Sequence, residues 1–150
     1  TLYSTELPHE LFIMLVDSRA YHGMKSMSPA RFQHFGLTNL SFQIEANKAI
    51  IYEPDFDSRH YNREYIDLTR NNASTTAINY DDFDGGYSIF RVCCGPDIRR
   101  AYSLSLVKSQ TRLKFTFKKD LEQNVSVITY GRFHSSFRLD KSRNVYLNQP

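Results

Sequence analysis

The chain has 150 residues, one domain's worth, and its 41% apolar and 14% aromatic content (11 Phe, 10 Tyr) can fill a core without disulfides or metal. That composition excludes a disordered chain, and the length excludes two full-sized domains. The net charge of +3 is scattered over Arg31, Arg59, Arg70, Arg99, Arg112, Lys118, Arg132 and Arg143, whereas nucleic-acid-binding domains usually gather positive charge on one face.

Leu11–Val16 is apolar throughout, which predicts a central strand covered on both sides and falls far short of a membrane span. Pro29 suits the first position of a short turn. Leu40, Phe42, Ile44 and Ala46 alternate with polar residues as in a half-buried strand, and Asn47-Lys48 offers a turn into a second strand, Ala49–Tyr52. Between Asp57 and Thr69, Tyr61, Tyr65 and Leu68 recur at helical spacing, with Asp57 or Ser58 as a cap and Asn71-Asn72 as the stop. Asn71–Asp84 is polar and turn-rich and reads as a surface loop. Gly86–Val92 reads as a strand behind the Gly85-Gly86 turn.

In Arg112–Lys118 every second residue is apolar, placing Leu113, Phe115 and Phe117 on a core face and the cations on a wet one. Asn124–Gly131 is rich in β-branched residues, and its phase slips between Val127 and Ile128, suggesting a bulge or cover on both faces. His134–Leu139 and Arg143–Leu147 complete about eight short strands. The expected fold is an all-β, eight-stranded antiparallel sandwich with one or two short helices in its connections. The expected core is Phe12, Leu15, Phe42, Ile44, Tyr87, Leu113, Phe115, Phe117, Val125, Val127 and Leu139. Phe115→Ala would cost roughly 3–5 kcal/mol if that residue is central.

Chemistry is harder to find. The six glycines form neither a phosphate loop nor a nucleophile elbow. His9, His22, His34, His60 and His134 share no ligand spacing. A cupin-like iron site would need two histidines and a carboxylate; His22 and His34 lie near a candidate strand pair, but no carboxylate spacing supports them. Asp81-Asp82-Phe83-Asp84-Gly85-Gly86 has the look of a calcium loop, yet a loop beginning at Asp82 puts Gly86 and Cys93 where ligands are needed, so it reads as an acidic turn. Cys93 and Cys94 are adjacent, which strains a disulfide, and read as buried free thiols at a strand end. The sequons at Asn39, Asn72 and Asn124 read as chance. Phe115 and Phe117 lie on the face opposite Lys114 and Lys118, so they do not make a base-stacking platform. No catalytic, cofactor-binding or metal-binding residue is expected.

The order of features does resemble a known family. It runs from Leu7-Pro8 and the strand Leu11–Asp17 through Ser28-Pro29-Ala30-Arg31-Phe32-Gln33-His34-Phe35 to Leu40–Ile44. It continues with Glu53-Pro54-Asp55-Phe56, Tyr61, Tyr65, Gly86-Tyr87-Ser88-Ile89-Phe90 and Gly95-Pro96-Asp97. It ends with Leu106-Val107-Lys108, Arg112–Phe117, Val125–Tyr130, Leu139-Asp140 and Arg143-Asn144-Val145. In that order the chain is similar to the hexon-like double jelly-roll major capsid proteins of adintoviruses, of Polinton (Maverick) elements and of their endogenous animal relatives. It departs from them at Arg91-Val92-Cys93-Cys94, Arg132 and Arg138.

The resemblance implies a structural capsid domain, not an enzyme. Residues 1–150 would be a single jelly roll, the C-terminal half of a longer chain, in keeping with a first residue that is Thr and not Met. It also implies homotrimers that look six-sided, a capsid lattice with minor capsid proteins as partners, no cofactor, and residence in the virion after synthesis in the host cytoplasm or nucleus. Neither a membrane span nor contact with nucleic acid is expected. The alternative is a cellular β-sandwich that binds a glycan or a protein partner.

Overall fold

A computed structural model of the chain describes residues 7–44, 48–70, 77–94, 111–133 and 136–148. The elements in chain order are β1 (Glu10–Asp17), α1 (Ser18–Tyr21), β2 (Leu37–Ile44), β3 (Lys48–Tyr52), α2 (Asn62–Thr69), α3 (Tyr80–Gly85), β4 (Ile89–Cys93), β5 (Thr111–Phe117), β6 (Val125–Arg132), β7 (Ser136–Leu139) and β8 (Val145–Asn148). They form two three-stranded antiparallel sheets, ordered β4-β1-β6 and β3-β2-β5, packed through one apolar core. The expected β-sandwich is present, but among the described residues its two sheets hold three strands each, and β7 and β8 pair only with each other, as a separate hairpin.

Alternation makes the core. Leu11 and Ile13 of β1 turn inward, opposite Leu40, Phe42 and Ile44 of β2. Leu37 breaks the two-residue rhythm, and a register shift between Leu37 and Asn39 restores it to the buried face. The bulge therefore lies in β2. In β6, where the sequence phase slips, the pairing with β1 runs unbroken from Glu10↔Arg132 to Asp17↔Val125.

One side of the sandwich is closed by the helices. Tyr52 at the end of β3 has one phenol proton to share between two acceptors, the Arg91 carbonyl on β4 at 2.6 Å and Asp67 of α2 at 2.9 Å. Behind it stands a stack of rings: Phe56 against Tyr61 (5.1 Å between centroids), Tyr61 against Tyr80 (4.4 Å), and Phe83 edge-on to Phe90 (5.9 Å). Phe83 comes from α3, a helix where a surface loop was expected. Asn79 accepts from the Asp82 N–H at 2.8 Å, while Asp82 accepts from the Asn79 N–H at 3.1 Å, a reciprocal cap that starts this helix. Gly86, at φ 137°, ends it. α2 begins later than expected, after Tyr61, which makes no side-chain cap. Asp55 instead closes a turn by accepting from the Ser58 N–H at 3.2 Å.

A charged knot secures the same side. Glu10 and Arg91 are both nearly inaccessible and form an ion pair; Arg132 holds the other Glu10 oxygen at 2.6 Å. Arg91 also donates to the carbonyls of Asp67 and Arg70, each at 2.9 Å, capping the C-terminal end of α2. Burial pushes the Glu10 carboxyl up, but Arg91 and then Arg132 outweigh it and hold it below the ordinary glutamate value. Its contribution to stability is thus present above the ordinary glutamate range and is lost as acid protonates it.

The expected core is corrected in its C-terminal half. Leu15, Phe42 and Ile44 are buried, while Phe12, Leu113, Phe115, Phe117 and Val125 are half-buried. Tyr87, Val127 and Leu139 are exposed. Phe83→Ala is therefore expected to cost about 3–5 kcal/mol in the 150-residue chain, and Phe115→Ala less. Urea unfolding measures both, and a larger loss at Phe115 would move the centre of the core to β5. Arg91→Met is expected to cost about 3–5 kcal/mol by stranding Glu10, with the double variant Glu10→Met, Arg91→Met recovering part of the loss. Equal losses in single and double variants would show that Glu10 does not depend on Arg91.

Candidate functional site

The residues singled out for chemistry do not converge. His22 follows α1 as its C-cap, and the backbones of His60 and Asp55 bond to each other at 2.7 and 3.0 Å. The His9 N–H donates to the Arg132 carbonyl at 2.8 Å, extending the β1–β6 edge. His34 stacks on Phe56 at 3.8 Å, accepts the Gly36 N–H on Nδ1 at 3.0 Å, and places Nε2 3.2 Å from Asp84. Burial pushes the His34 imidazole below its ordinary value despite the pull of Asp84 and Asp57. With Nδ1 accepting, the neutral ring carries its proton on Nε2, facing Asp84. His34 thus buttresses the ring stack. His134 lies outside the described residues.

The acidic segment resolves the same way. Asp81 pairs with Arg59, Asp82 caps α3 and Asp84 faces His34, so each carboxylate has a partner in the fold. Among the described residues no group of three His, Cys, Asp or Glu side chains could hold a metal ion. Neither Cys93 nor Cys94 is in a disulfide; against expectation, Cys93 is exposed, since it pairs with Glu10 on the face of the sheet away from Leu11 and Val92, and Cys94 is half-buried against the core. Glu64 of α2 is a buried carboxyl. Burial pushes it above its ordinary value, against backbone hydrogen bonds at Glu64 and Glu53.

Surface composition is more informative than any cleft. Exposed apolar side chains gather toward the C-terminal half: Val127 (45% exposed) and Tyr130 (60%) on β6, Phe133 just beyond it, and Leu139 (59%), Val145 (60%) and Tyr146 on the β7–β8 hairpin. β5 carries the exposed cations Arg112 and Lys114, and Lys118 and Lys119 follow it. Lys118 is held by Asp57, and the recess beside it is lined by Phe35, Gly36 and Leu121 together with Lys119, Asp120 and Glu122, charges of both signs rather than a single-sign cluster. No described helix is long and apolar enough to cross a membrane.

No protein-family model matches the chain, and no solved structure matches it. An uncharacterized protein of Caenorhabditis elegans is 29% identical over 156 residues, an alignment that takes in 96% of this chain. The chain spans 37% of that relative's length.

Proposed function

We propose that the chain is a jelly-roll domain of a structural protein, the C-terminal jelly roll of a hexon-like double jelly-roll capsid subunit, viral or virus-derived. It would assemble into homotrimeric, pseudo-hexagonal capsomers. The observation that carries the reading is the path of the chain. It crosses between sheets from β1 to β2, makes the β2–β3 hairpin, then crosses at every step from β3 to β6. That path, with β1 central in one sheet and β2 central in the other, is the Greek-key route of a jelly roll.

The mechanism is geometric. Sheet edges are hidden within the subunit and against neighbours, and apolar patches outside the core supply the contacts. The β7–β8 hairpin, with Leu139, Val145 and Tyr146 exposed, is the described surface best suited to that role. The greater length of the nematode relative is compatible with a second domain in such a chain.

Sedimentation velocity of the whole polypeptide, over a range of concentration and salt, tests this. A stable trimer, or growth from trimer to larger shells, is the expected result. A monomer at every concentration would overturn the assembly reading and leave a β-sandwich binding module in its place.

A further inference from the structure

The two sides of the sandwich are finished differently. On the β3–β4 side, α2, α3 and the ring stack cover the gap between the sheets, and Phe83 and Tyr61 are 0% exposed. On the opposite side, β5 and β6 are the outer strands, and among the described residues neither has a second neighbour. Their inward-facing side chains show the consequence. Val127 pairs with Leu15, which is 1% exposed, and shares its face of the sheet, yet Val127 is 45% exposed. Phe115 pairs with Leu40, which is 0% exposed, yet Phe115 is only half-buried. The core is therefore open along this side.

The backbone is open there as well. The Ser18 N–H donates to the Asn124 carbonyl at 3.0 Å, just beyond the register pair Asp17↔Val125. Hydrogen-bonded and non-hydrogen-bonded pairs alternate along an antiparallel ladder, so Val127 and Thr129 turn their N–H groups away from β1. These are donors at the mouth of an apolar gap, where a lost hydrogen bond is costly.

We propose that this side is closed by two further strands of the same polypeptide, supplied from outside these 150 residues, one pairing with β6 and the other with β5. The proposal rests on the jelly-roll reading, in which each sheet has four strands, and it names the two edges at which, among the described residues, the sheets are one strand short. One strand per sheet, each with apolar residues on its inner face, covers both edges and fills the gap between Val127 and Phe115. A chain of the nematode relative's kind has ample polypeptide for this, since the present chain spans only 37% of it. A second copy fits poorly. A twofold axis joining β5 to its mate would set Arg112 and Lys114, both exposed, against the same cations.

The test places photo-reactive benzoylphenylalanine, in separate samples of the whole polypeptide, at Lys114 and at Tyr130. Both side chains lie on outer faces, so neither substitution enters the gap. Cross-linked peptides are then mapped by mass spectrometry, and amide exchange is followed at Val127 and Thr129. The expected result is a cross-link within one polypeptide, from each position to a segment outside residues 1–150. Exchange at both amides should be at least about 100-fold slower than in an unstructured chain. Cross-links between polypeptides would overturn the proposal in favour of a second copy. Cross-links confined to residues 1–150, or unprotected amides with no cross-link, would overturn it outright. Sedimentation of the same samples separates the two ideas. A trimer with open edges sinks this proposal alone, while a monomer with closed edges sinks the assembly reading alone.

Discussion

The buried carboxylate of Glu10 is the constraint around which the closed half of the molecule is arranged. An ionised carboxyl removed from water must find cations, and this one finds two on adjacent strands, Arg91 on β4 and Arg132 on β6. Arg91 in turn reaches the last carbonyls of α2, so one guanidinium couples the β1–β4 register to the seat of a helix. Such a pair is weak evidence of net stability, because desolvation offsets much of the attraction. Its value here is geometric. A one-residue slip of β4 would move Arg91 to the other face of the sheet and leave both the carboxylate and the helix end unmet.

With α2 held, the rings have a surface on which to pack. Tyr61 enters just before α2, Phe83 arrives on α3, and Phe56 spans the two, with His34 stacked on its outer face. Each ring adds burial area and a preferred packing geometry. Phe56, Tyr61 and Tyr65 all belong to this stack or its rim. They serve the fold, closing a sandwich side that neither sheet closes alone.

Much of this was legible in the sequence, and the failures have physical causes. β1, β3, β5 and β6 announce themselves by local alternation or β-branching, within a residue or two of their observed ends. Depth does not. Period two says which residues share a face, not how far that face lies from the edge of the sheet, so Val127 and Phe115 were assigned to the core on the same footing as Phe42. α3 was missed because its acidic, glycine-ended sequence resembles a turn; the signal that could have found it is Asn79 three residues before Asp82, followed by buried Phe83. The apparent slip in β6 reflects an edge strand with apolar residues on both faces, not a bulge. Glu10 and Arg91, 81 positions apart, have no local signature at all.

The asymmetry between the two sides bears on the order of events in any assembly. An edge strand with free N–H groups beside an apolar gap pairs with whatever strand reaches it first. The cations on β5 discourage a second copy, but they lie on the outer face and leave the edge itself open. A segment of the same chain has the advantage of high effective concentration over any partner in solution. On the capsid reading, the edges must therefore be filled during folding, before subunits meet. The contacts that join subunits then fall to side chains and the β7–β8 hairpin, not to backbone pairing. Trimer formation by such a domain would depend on shape and apolar patches, which are specific, and not on open ladders, which are not.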